Sequence, residues 1–311
     1  MVNRVRGWLY KVWLNTSGRG DEFSHLQELR RAERLPKKQI YELQQERLHR
    51  LLTHAYENVP YYRTLLKEHG WTRGLPKSAV FKFSQTLPFL TKEIIRERFD
   101  ELRSEDLPRR KWFYNTSGGS TGEPVRFIQD SDYHQWAQAG KMLFDKWTGY
   151  SVGMPKIVLW GSERDLLVGN ETLRTRIGRW LRNEHWLNTF RMTEADMQTY
   201  VQRINAVRPV QILAYVESIY ELAKFIEREG LKVHTPRAIM TSAGTLYPHI
   251  REVIERVFMA PVFNRYGSRE VGDMACECEA HQGLHVNPLT HYLEIVKPDG
   301  QPCAPGEVGE V

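Results

Sequence analysis

A run of glycines and hydroxyl-bearing residues holds the clearest chemistry in this chain. From Ser117 to Gly122 every residue is glycine, serine or threonine, and Pro124 follows this run. Glycine lets the backbone approach a ligand closely, and backbone N–H groups can wrap phosphate oxygens together with hydroxyls. The run lies between two strand-like segments, 111–115 and 125–129, and contains no lysine, so it does not fit the phosphate loop of kinases and GTPases. The pattern predicts either a phosphate-binding loop or a flexible hairpin turn.

Three further groups of small and polar residues follow segments that are typical of strands. They occupy residues 161–164, 241–245 and 266–270. In open α/β sheets ligands bind at the carboxyl ends of the strands, so these groups are candidates to line one common pocket. Turns between strands and helices also favour small polar residues, and an ordinary turn is therefore the alternative.

Four potential metal ligands lie within ten residues near the end of the chain. They are Cys276, Cys278, His281 and His285. Thiolate and imidazole groups at these spacings suit tetrahedral Zn²⁺, and a structural zinc site needs four such ligands. The alternative is a set of surface thiols and histidines that bind no metal.

Apolar runs that alternate with helical patterns predict an α/β fold. The predicted helices after residue 130 cover 131–147, 170–181, 193–207, 218–229 and 247–258. The strands that alternate with them cover 156–160, 210–214, 237–241 and 261–264. Strands separated by helices of about 10–15 residues are typical of βαβ units and of a largely parallel sheet. Before residue 85 the pattern is helical, with helices predicted over 2–14, 22–34, 37–57 and 61–69.

The composition is that of an ordinary globular protein. Its 311 residues are 41% apolar and 26% charged, and no apolar run reaches the roughly 18 residues that a transmembrane helix requires. Three cysteines do not suggest a disulfide framework and fit a reducing cytoplasm. The net charge of +6 is spread widely and accompanies no RRM signature or zinc-finger spacing, so no nucleic acid partner is expected. The sequence does not indicate an oligomeric state.

Residues 2–14 form a basic amphipathic pattern. Apolar side chains recur at helical spacing at Val2, Val5, Leu9 and Val12, with three cations between them. A helix of this kind can lie on an anionic membrane surface, which predicts a peripheral membrane contact of a cytoplasmic protein. Docking of the helix on its own domain is the alternative.

Several of these motifs together resemble the adenylate-forming enzymes. Residues 117–124 fit the family's phosphate loop, [ST]-[SG]-G-[ST]-T-G-x-P, position by position, and 266–270 match its [YF]-G-x-x-E motif. The segments 58–70 and 87–98 are similar to the opening helices and to the LP-x-T-K segment of the phenylacetate–CoA ligase branch. The resemblance covers roughly residues 45–311.

The resemblance implies a fold and an activity. The fold would be the large N-terminal domain of an adenylate-forming enzyme, with a helical segment at 1–85 packed on an AMP-binding α/β core at 86–311. The activity would be ATP-dependent conversion of a small carboxylic acid into an acyl-adenylate, followed by transfer to coenzyme A, with a role in capsule polysaccharide biosynthesis. A non-catalytic scaffold that binds nucleotide or zinc, or an inactive fragment, is the rival interpretation.

The resemblance also assigns roles to residues of this chain. ATP phosphates would contact Ser117, Gly118, Gly119, Ser120, Thr121 and Gly122. Adenine would be bounded by Ser242, Ala243, Gly244, Tyr266 and Gly267. Glu270 would hold Mg²⁺ and would act in catalysis together with Thr121 and Arg269, while residues 215–218 would contact the acid. A similar E-C-x6-H segment binds zinc in some members, and here it falls on Glu277, Cys278 and His285.

The sequence departs from the family pattern at several points. Glu123 stands where many members have lysine, and Arg269 where many have serine or threonine. The only cysteine after Cys278 is Cys303, which does not reproduce the family's second zinc-binding pair. The R-x-G-D motif and the C-terminal lysine-bearing domain are not found through Val311. A chain without them is expected to bind ATP weakly and to adenylate acids poorly.

Overall fold

The chain forms two compact units in a computed structural model that describes residues 2–117, 124–161 and 172–311. The first unit comprises Met1–Gln27 and Ala137–His285, and the second comprises Glu28–Trp136 and Val286–Val311. These boundaries follow contacts between residues. The prediction instead divided the chain at residue 85, between a helical segment and an α/β core. The two divisions therefore rest on different criteria, one on contacts and the other on the type of secondary structure.

A seven-stranded sheet forms the centre of the first unit. Its strands are β3 (Lys156–Leu159), β4 (Glu184–Leu187), β5 (Gln211–Tyr215), β6 (Ala238–Ser242), β7 (Val262–Ser268), β8 (Gly272–Glu277) and β9 (Leu284–Val286). The strand order is β4-β3-β5-β6-β7-β8-β9. The first five strands in this order run parallel, and β8 is antiparallel to β7. The predicted α/β class with a mostly parallel sheet is confirmed.

Seven helices accompany this sheet among the described residues, and two of them begin at a threonine that caps the helix. They are α1 (Val2–Thr16), α2 (Asp21–Ala32), α7 (Ser131–Trp147), α8 (Leu173–Arg182), α9 (Glu194–Val207), α10 (Val216–Arg228) and α11 (Pro248–Phe258). Thr172 accepts a hydrogen bond from the Thr175 amide, and Thr193 forms a reciprocal capping box with Asp196 at the start of α9. Pro248 occupies the first turn of α11, where its missing N–H costs nothing.

The two faces of the parallel sheet differ sharply in chemistry. Side chains alternate between the faces along each strand. One face carries Ile157, Leu159, Ile212, Ala214, Ile239 and Val262, all of which are buried in one aliphatic core with residues of α9, α10 and α11. The alternate positions on the opposite face include Lys156, Trp160, Gln211 and Arg265. One face therefore stabilises the unit by burial of apolar area, and the other face combines charged and polar groups with apolar side chains such as Val158 and Leu213.

The second unit is mostly helical. Its elements are α3 (Lys37–Asn58), α4 (Pro60–Glu68), α5 (Val80–Ser84), α6 (Lys92–Glu97), β1 (Trp112–Thr116) and β2 (Arg126–Asp130). Leu52, Leu66, Trp71, Phe81 and Phe83 are among the buried residues of its core. The C-terminal segment joins this core through Tyr292, whose ring stacks on Phe81 with centroids 4.5 Å apart.

Three strands and one motif differ from the sequence predictions. Strands β4, β8 and β9 were not predicted, because their segments are short and mix polar with apolar residues. Strand β7 continues through Ser268, so the first three residues of the motif at 266–270 are extended and lead into an antiparallel hairpin. Among the described residues, no helix combines the length and apolar character needed to cross a bilayer.

The difference between the two faces of the sheet predicts unequal costs for matched truncations. Ile212 is fully buried in the aliphatic core, whereas its neighbour Leu213 is only partly buried and borders a cavity. Ile212→Ala should lower the free energy of unfolding by about 3–5 kcal/mol, and Leu213→Ala by less than about 2 kcal/mol. Urea unfolding followed by circular dichroism measures both values, and equal losses would contradict the assignment of the faces.

Candidate functional site

The base of the predicted phosphate loop is a closed hairpin. Strands β1 and β2 pair antiparallel, with Thr116 opposite Arg126. The Ser117 amide donates to the Val125 carbonyl at 2.9 Å, and the Val125 amide donates to the Ser117 hydroxyl at 2.8 Å. The Ser117 hydroxyl oxygen thus helps to close the loop. The predicted phosphate ligands Gly118, Gly119, Ser120, Thr121 and Gly122 lie outside the described residues.

In the first unit, polar residues gather where parallel strands end, as the sequence predicts. Tyr215 at the end of β5 pairs with Ser242 at the end of β6. Ala243 follows with φ of 60°, in the left-handed region that costs a non-glycine residue about 1–2 kcal/mol. Backbone strain of this kind clusters at ligand sites. The predicted adenine segment therefore has an unusual backbone directly after a fully buried strand.

Gly244 completes this turn, where a Cβ atom would displace the side chain of Glu217. A Cβ atom at this position would lie 2.4 Å from a carboxylate oxygen of Glu217, at the start of α10. The glycine brings the strand end close to the helix, so Glu217 lies beside the predicted adenine segment. Glu217 belongs to the 215–218 segment that the resemblance assigns to the acid.

The Tyr-Gly-x-x-Glu motif crosses the turn between β7 and β8. Gly267 lies against the opposing strand, where a Cβ atom would approach the Gly272 carbonyl oxygen to 2.5 Å. Tyr266, Arg269 and Glu270 are exposed. The hairpin therefore carries both the exposed Tyr266 ring and the exposed Glu270 carboxylate. Of the remaining group after a strand, at 161–164, the structure describes only Gly161.

A cavity of about 340 Å³ lies within the first unit, on the polar face of the sheet. Its wall includes Tyr10 and Glu22 from the N-terminal helices and Gln138, Lys141, Met142 and Asp145 from α7. The rest of the wall comes from the strands and the residues next to them: Tyr150, Val152, Lys156, Val158, Trp160, Arg182, Glu184, Trp186, Leu213 and Arg265. Its volume is within the range usual for small-molecule sites. Aromatic and ionised side chains alternate around it.

Two ion pairs lie within this wall. Lys156 is buried and donates to Asp145 at 2.7 Å. Arg182 pairs with Glu184 at 3.1 Å. Buried charges are stable only when they are paired and hydrogen-bonded, so these pairs fix the shape and polarity of the cavity.

The guanidinium group of Arg265 is only partly paired. It is 7% exposed, and its guanidinium group donates to Asp273 at 2.9 Å through Nη1. Its Nε is buried and has no hydrogen-bond partner within the part of the chain that the structure describes. An unpaired buried donor of a charged group costs about 1–3 kcal/mol or more. Arg265 therefore offers one donor to a ligand in the cavity.

Trp160 connects the cavity to the strand ends. Arg265 lies over its ring at 5.9 Å, and the ring of Tyr215 is 4.0 Å from it between centroids. Arg265 also precedes Tyr266 of the hairpin motif in β7. The cavity thus reaches the same strand ends that carry the predicted adenine and acid residues.

Burial changes the ionisation of the groups at the far end of the cavity. Burial raises the pKa of Glu22 above its usual range, although Arg19 opposes this change. Burial also raises the pKa of the Tyr10 hydroxyl. Burial alone would lower the pKa of Arg182, but Glu184 and Tyr10 outweigh this effect and raise it. The cavity therefore holds a permanent cation beside groups that favour their neutral forms.

Sequence reasoning did not identify this cavity wall. Lys156 gave a signal, because it opens an otherwise apolar strand. A charge at a buried strand position needs a partner, but the partner Asp145 lies on a helix 11 residues earlier. Nothing in the sequence indicated that Arg265 borders a cavity, because this residue lies directly before the 266–270 motif and is not part of it.

The predicted zinc ligands do not gather into one group. Cys278 and His285 are in contact, with Sγ and Nε2 3.1 Å apart. His281 instead contacts Glu277 at 3.2 Å, and Cys276 is fully buried in β8. Within the described ranges, no three His, Cys, Asp or Glu side chains are arranged to hold a metal ion. The observed donor set therefore does not fit zinc.

Glu277 has a structural role at this place. Its two carboxylate oxygens accept from Nη2 of Arg251, at 2.7 and 2.9 Å, and one of them also accepts from the Asn264 amide. Burial would raise its pKa, but Arg251, the Asn264 amide and His281 outweigh burial and lower it. This carboxylate ties α11 to β7 and β8.

Two curated relatives match most of this chain. Protein CapK of Staphylococcus aureus is 24% identical over 256 residues, which cover 82% of this chain and 56% of that protein. Phenylacetate-coenzyme A ligase of Thermus thermophilus is 27% identical over 308 residues, which cover 89% of this chain and 62% of the ligase. The chain thus spans about three fifths of the length of these relatives. No protein-family model matches it.

Solved structures agree on the fold. A 2-hydroxyisobutyryl-CoA ligase in complex with 2-HIB-AMP and CoA, in the thioesterification state, aligns with a TM-score of 0.69 and 17% identity. The alignment covers 88% of this chain and 59% of the ligase. An open conformation of the same ligase gives a TM-score of 0.65 and 15% identity, with coverage of 84% and 62%.

The burial of Cys276 predicts unequal reactivity of the three thiols. Burial raises the pKa of the Cys276 thiol, whereas Cys278 and Cys303 are partly exposed. The thiolate is the reactive form, so a disulfide reagent near pH 8 should modify two thiols of the folded protein rapidly. The third should react only after denaturation, as measured by absorbance and mass spectrometry. Rapid modification of Cys276 in the folded protein would contradict its position in β8.

Proposed function

We propose that this chain, a relative of the adenylate-forming enzymes in the branch of phenylacetate–CoA ligase and CapK, activates a carboxylic acid with ATP and transfers it to coenzyme A. The proposal rests on the residues that follow the carboxyl ends of strands β5, β6 and β7 in the first unit. The strained turn at Ala243, the glycine that admits Glu217 and the exposed Glu270 occur where an α/β sheet binds ligands. A role in polysaccharide biosynthesis rests on the similarity to CapK.

The proposed reaction has two steps. A carboxylate oxygen of the acid attacks the α-phosphorus of ATP, and the bond from that phosphorus to the bridging oxygen breaks. Pyrophosphate leaves and an acyl-adenylate remains. The thiolate sulfur of coenzyme A then attacks the acyl carbon, and AMP leaves with the electrons of the carbon–oxygen bond. The main work of the protein is to orient these groups and to neutralise the charge that develops.

The roles of the residues follow the motifs. Residues 117–122 would bind the phosphates, while 242–244 and 266–267 would enclose the adenine. Glu270 would hold Mg²⁺, which prefers oxygen ligands and supplies charge neutralisation at the phosphates. Its exposed carboxylate fits this role. Arg269 and Thr121 would contact phosphate oxygens, as guanidinium groups and hydroxyls do.

Zinc has no part in the proposal, since only Cys278 and His285 among its predicted ligands are in contact. A cytoplasmic location and a peripheral membrane contact of residues 2–14 remain predictions, and neither depends on the ligase reaction.

The cavity supports a polar acid as the substrate. A hydrocarbon acid would leave Arg265 Nε without a partner and would place apolar atoms beside the Lys156–Asp145 pair. An acid whose side chain bears a hydroxyl, carbonyl or second carboxylate supplies the missing acceptor. Trp160 offers a flat apolar face beside that donor. Sites that hydrogen-bond a substrate reject analogues that lack the bonding group.

Substitution of Glu270 tests the nucleotide site. Glu270→Ala should weaken Mg²⁺-dependent ATP binding by about tenfold or more, because loss of a charged ligand costs about 1.5–3 kcal/mol. Glu279→Ala removes an equally exposed carboxylate from the same region and should leave binding unchanged. Calorimetric titration with and without Mg²⁺ measures both. Equal binding by the two variants would contradict the role of Glu270.

Acid-dependent exchange of pyrophosphate into ATP tests the substrate class. Hydroxy acids and dicarboxylic acids should support exchange about tenfold faster than unsubstituted acids of the same size, including phenylacetate. The ratio between acids is the quantity to compare, whatever the absolute rate. Faster exchange with the unsubstituted acids would contradict the polar substrate, and no acid-dependent exchange with any acid would contradict the ligase activity.

A further inference from the structure

Two helices far apart in the sequence pack side by side on the first unit. Tyr10 and Leu14 of α1 share a buried apolar cluster with Leu181 of α8. Trp13 lies against Gly178, where an added Cβ would be 3.3 Å from the indole ring. The absence of a side chain at Gly178 lets the two helices approach closely, so their outer faces form one continuous surface.

These two helices hold the whole net positive charge of the chain. Helix α1 contains three cations and α8 contains four, and neither contains an aspartate or glutamate. Removing these seven from the chain's 44 lysines and arginines leaves 37, against 38 aspartates and glutamates. The net charge that seemed spread along the sequence is therefore concentrated on one pair of helices.

The same pair of helices exposes large apolar side chains in two rows. In α1 they are Val5, Trp8 and Val12, and in α8 they are Leu173, Ile177 and Trp180. Trp8 is 63% exposed, Trp180 59% and Leu173 71%. Each row repeats at helical spacing, which is the pattern of a single outward face. We name these six residues together with Arg6, Lys11, Arg174 and Arg176 the α1–α8 surface.

The cations of this surface have no acidic partners. Arg6, Lys11, Arg174 and Arg176 form no ion pair with an acid in the residues that the structure covers. Arg6 lies over the Trp180 ring at 5.2 Å, so it joins the two apolar rows. Lys11, Arg174 and Arg176 are exposed. The surface therefore presents unneutralised positive charge beside apolar side chains.

We propose that the α1–α8 surface docks on a bilayer that contains anionic phospholipids. Tryptophan and aliphatic side chains enter the boundary between headgroups and acyl chains, and arginine and lysine bind the lipid phosphates. A second copy of this chain would bring like charges together. Nucleic acid would pair with the cations but would leave Leu173, Ile177 and Val5 exposed to water. An anionic bilayer matches both the charge and the apolar rows.

Flotation with lipid vesicles tests the proposal independently of the ligase activity. The protein should float with vesicles of phosphatidylcholine that contain phosphatidylglycerol, and at least about tenfold less with phosphatidylcholine alone. Binding to the anionic vesicles should fall as salt is added. Equal binding to both vesicle types, or binding to neither, would overturn the proposal.

Matched variants separate the apolar and the electrostatic contributions. Trp8→Ser with Trp180→Ser should reduce vesicle binding about tenfold or more, whereas Phe89→Ser removes an equally exposed ring from the second unit and should have no effect. Arg174→Gln with Arg176→Gln should also reduce binding to anionic vesicles, and Lys38→Gln with Lys232→Gln should not. Thermal unfolding checks that each variant is folded.

Three outcomes would overturn the proposal. The first is retention of vesicle binding by both the tryptophan and the arginine variants. The second is tight binding of duplex DNA that competes fully with vesicles and is unaffected by the tryptophan substitutions. The third is concentration-dependent dimerisation that requires Trp8 and Trp180, in the absence of vesicle binding.

Discussion

Charges buried on one face of the sheet in the first unit must be paired. Lys156 opens a strand whose four residues are all buried, and Asp145 on α7 neutralises it. An unpaired ion there would cost several kcal/mol. An apolar residue of the same size would pack at least as well, so stability alone does not require the ion pair. The polar face is consistent with a ligand that needs charged and hydrogen-bonding neighbours, while the aliphatic face supplies the stability.

The difference between the two faces of the sheet explains how the strand ends are held in place. The aliphatic core with α9, α10 and α11 fixes the positions of β5, β6 and β7. The fixed strands can then hold a strained residue, Ala243, and an unpaired donor, Arg265 Nε, because the surrounding packing opposes their relaxation. Helix α1 contributes both to the cavity and to the exposed α1–α8 surface. Tyr10 of α1 borders the cavity, while Trp8 of the same helix is exposed on the α1–α8 surface.

The sequence predicted helices and strands correctly where apolar residues repeat regularly along the chain. The alternation of apolar strands with amphipathic helices predicted the parallel sheet, and Thr193 and Pro248 lie at helix starts. Strand β4 was missed because Glu184, His185 and Trp186 have no apolar alternation, and its place at the sheet edge depends on pairing with β3. The hairpin at 266–270 was expected to be a loop, because antiparallel pairing with β8 is a contact that the motif does not encode.

The candidate site was predictable only where short motifs carry it. The segments at 242–244 and 266–270 were proposed from their residue types and order, and their roles stay predictions. The cavity wall was not, because it combines helices and strands separated by more than 100 residues, such as Tyr10 with Arg182 at 3.4 Å. The metal-like spacing of the cysteines was misleading for a related reason: β8 turns Cys276 into the core, whereas Cys278 lies beyond the strand end.

We propose that the cavity beside the strand ends selects a polar acid for adenylation. Calorimetric titration with a pair of stable acyl-adenylate analogues tests it most directly, one acyl group bearing a hydroxyl and the other its methyl isostere. The hydroxylated analogue should bind at least about tenfold more tightly, and Arg265→Leu should abolish that difference while adenosine binding persists. Equal affinity for the two analogues, or a preference that survives Arg265→Leu, would contradict the account.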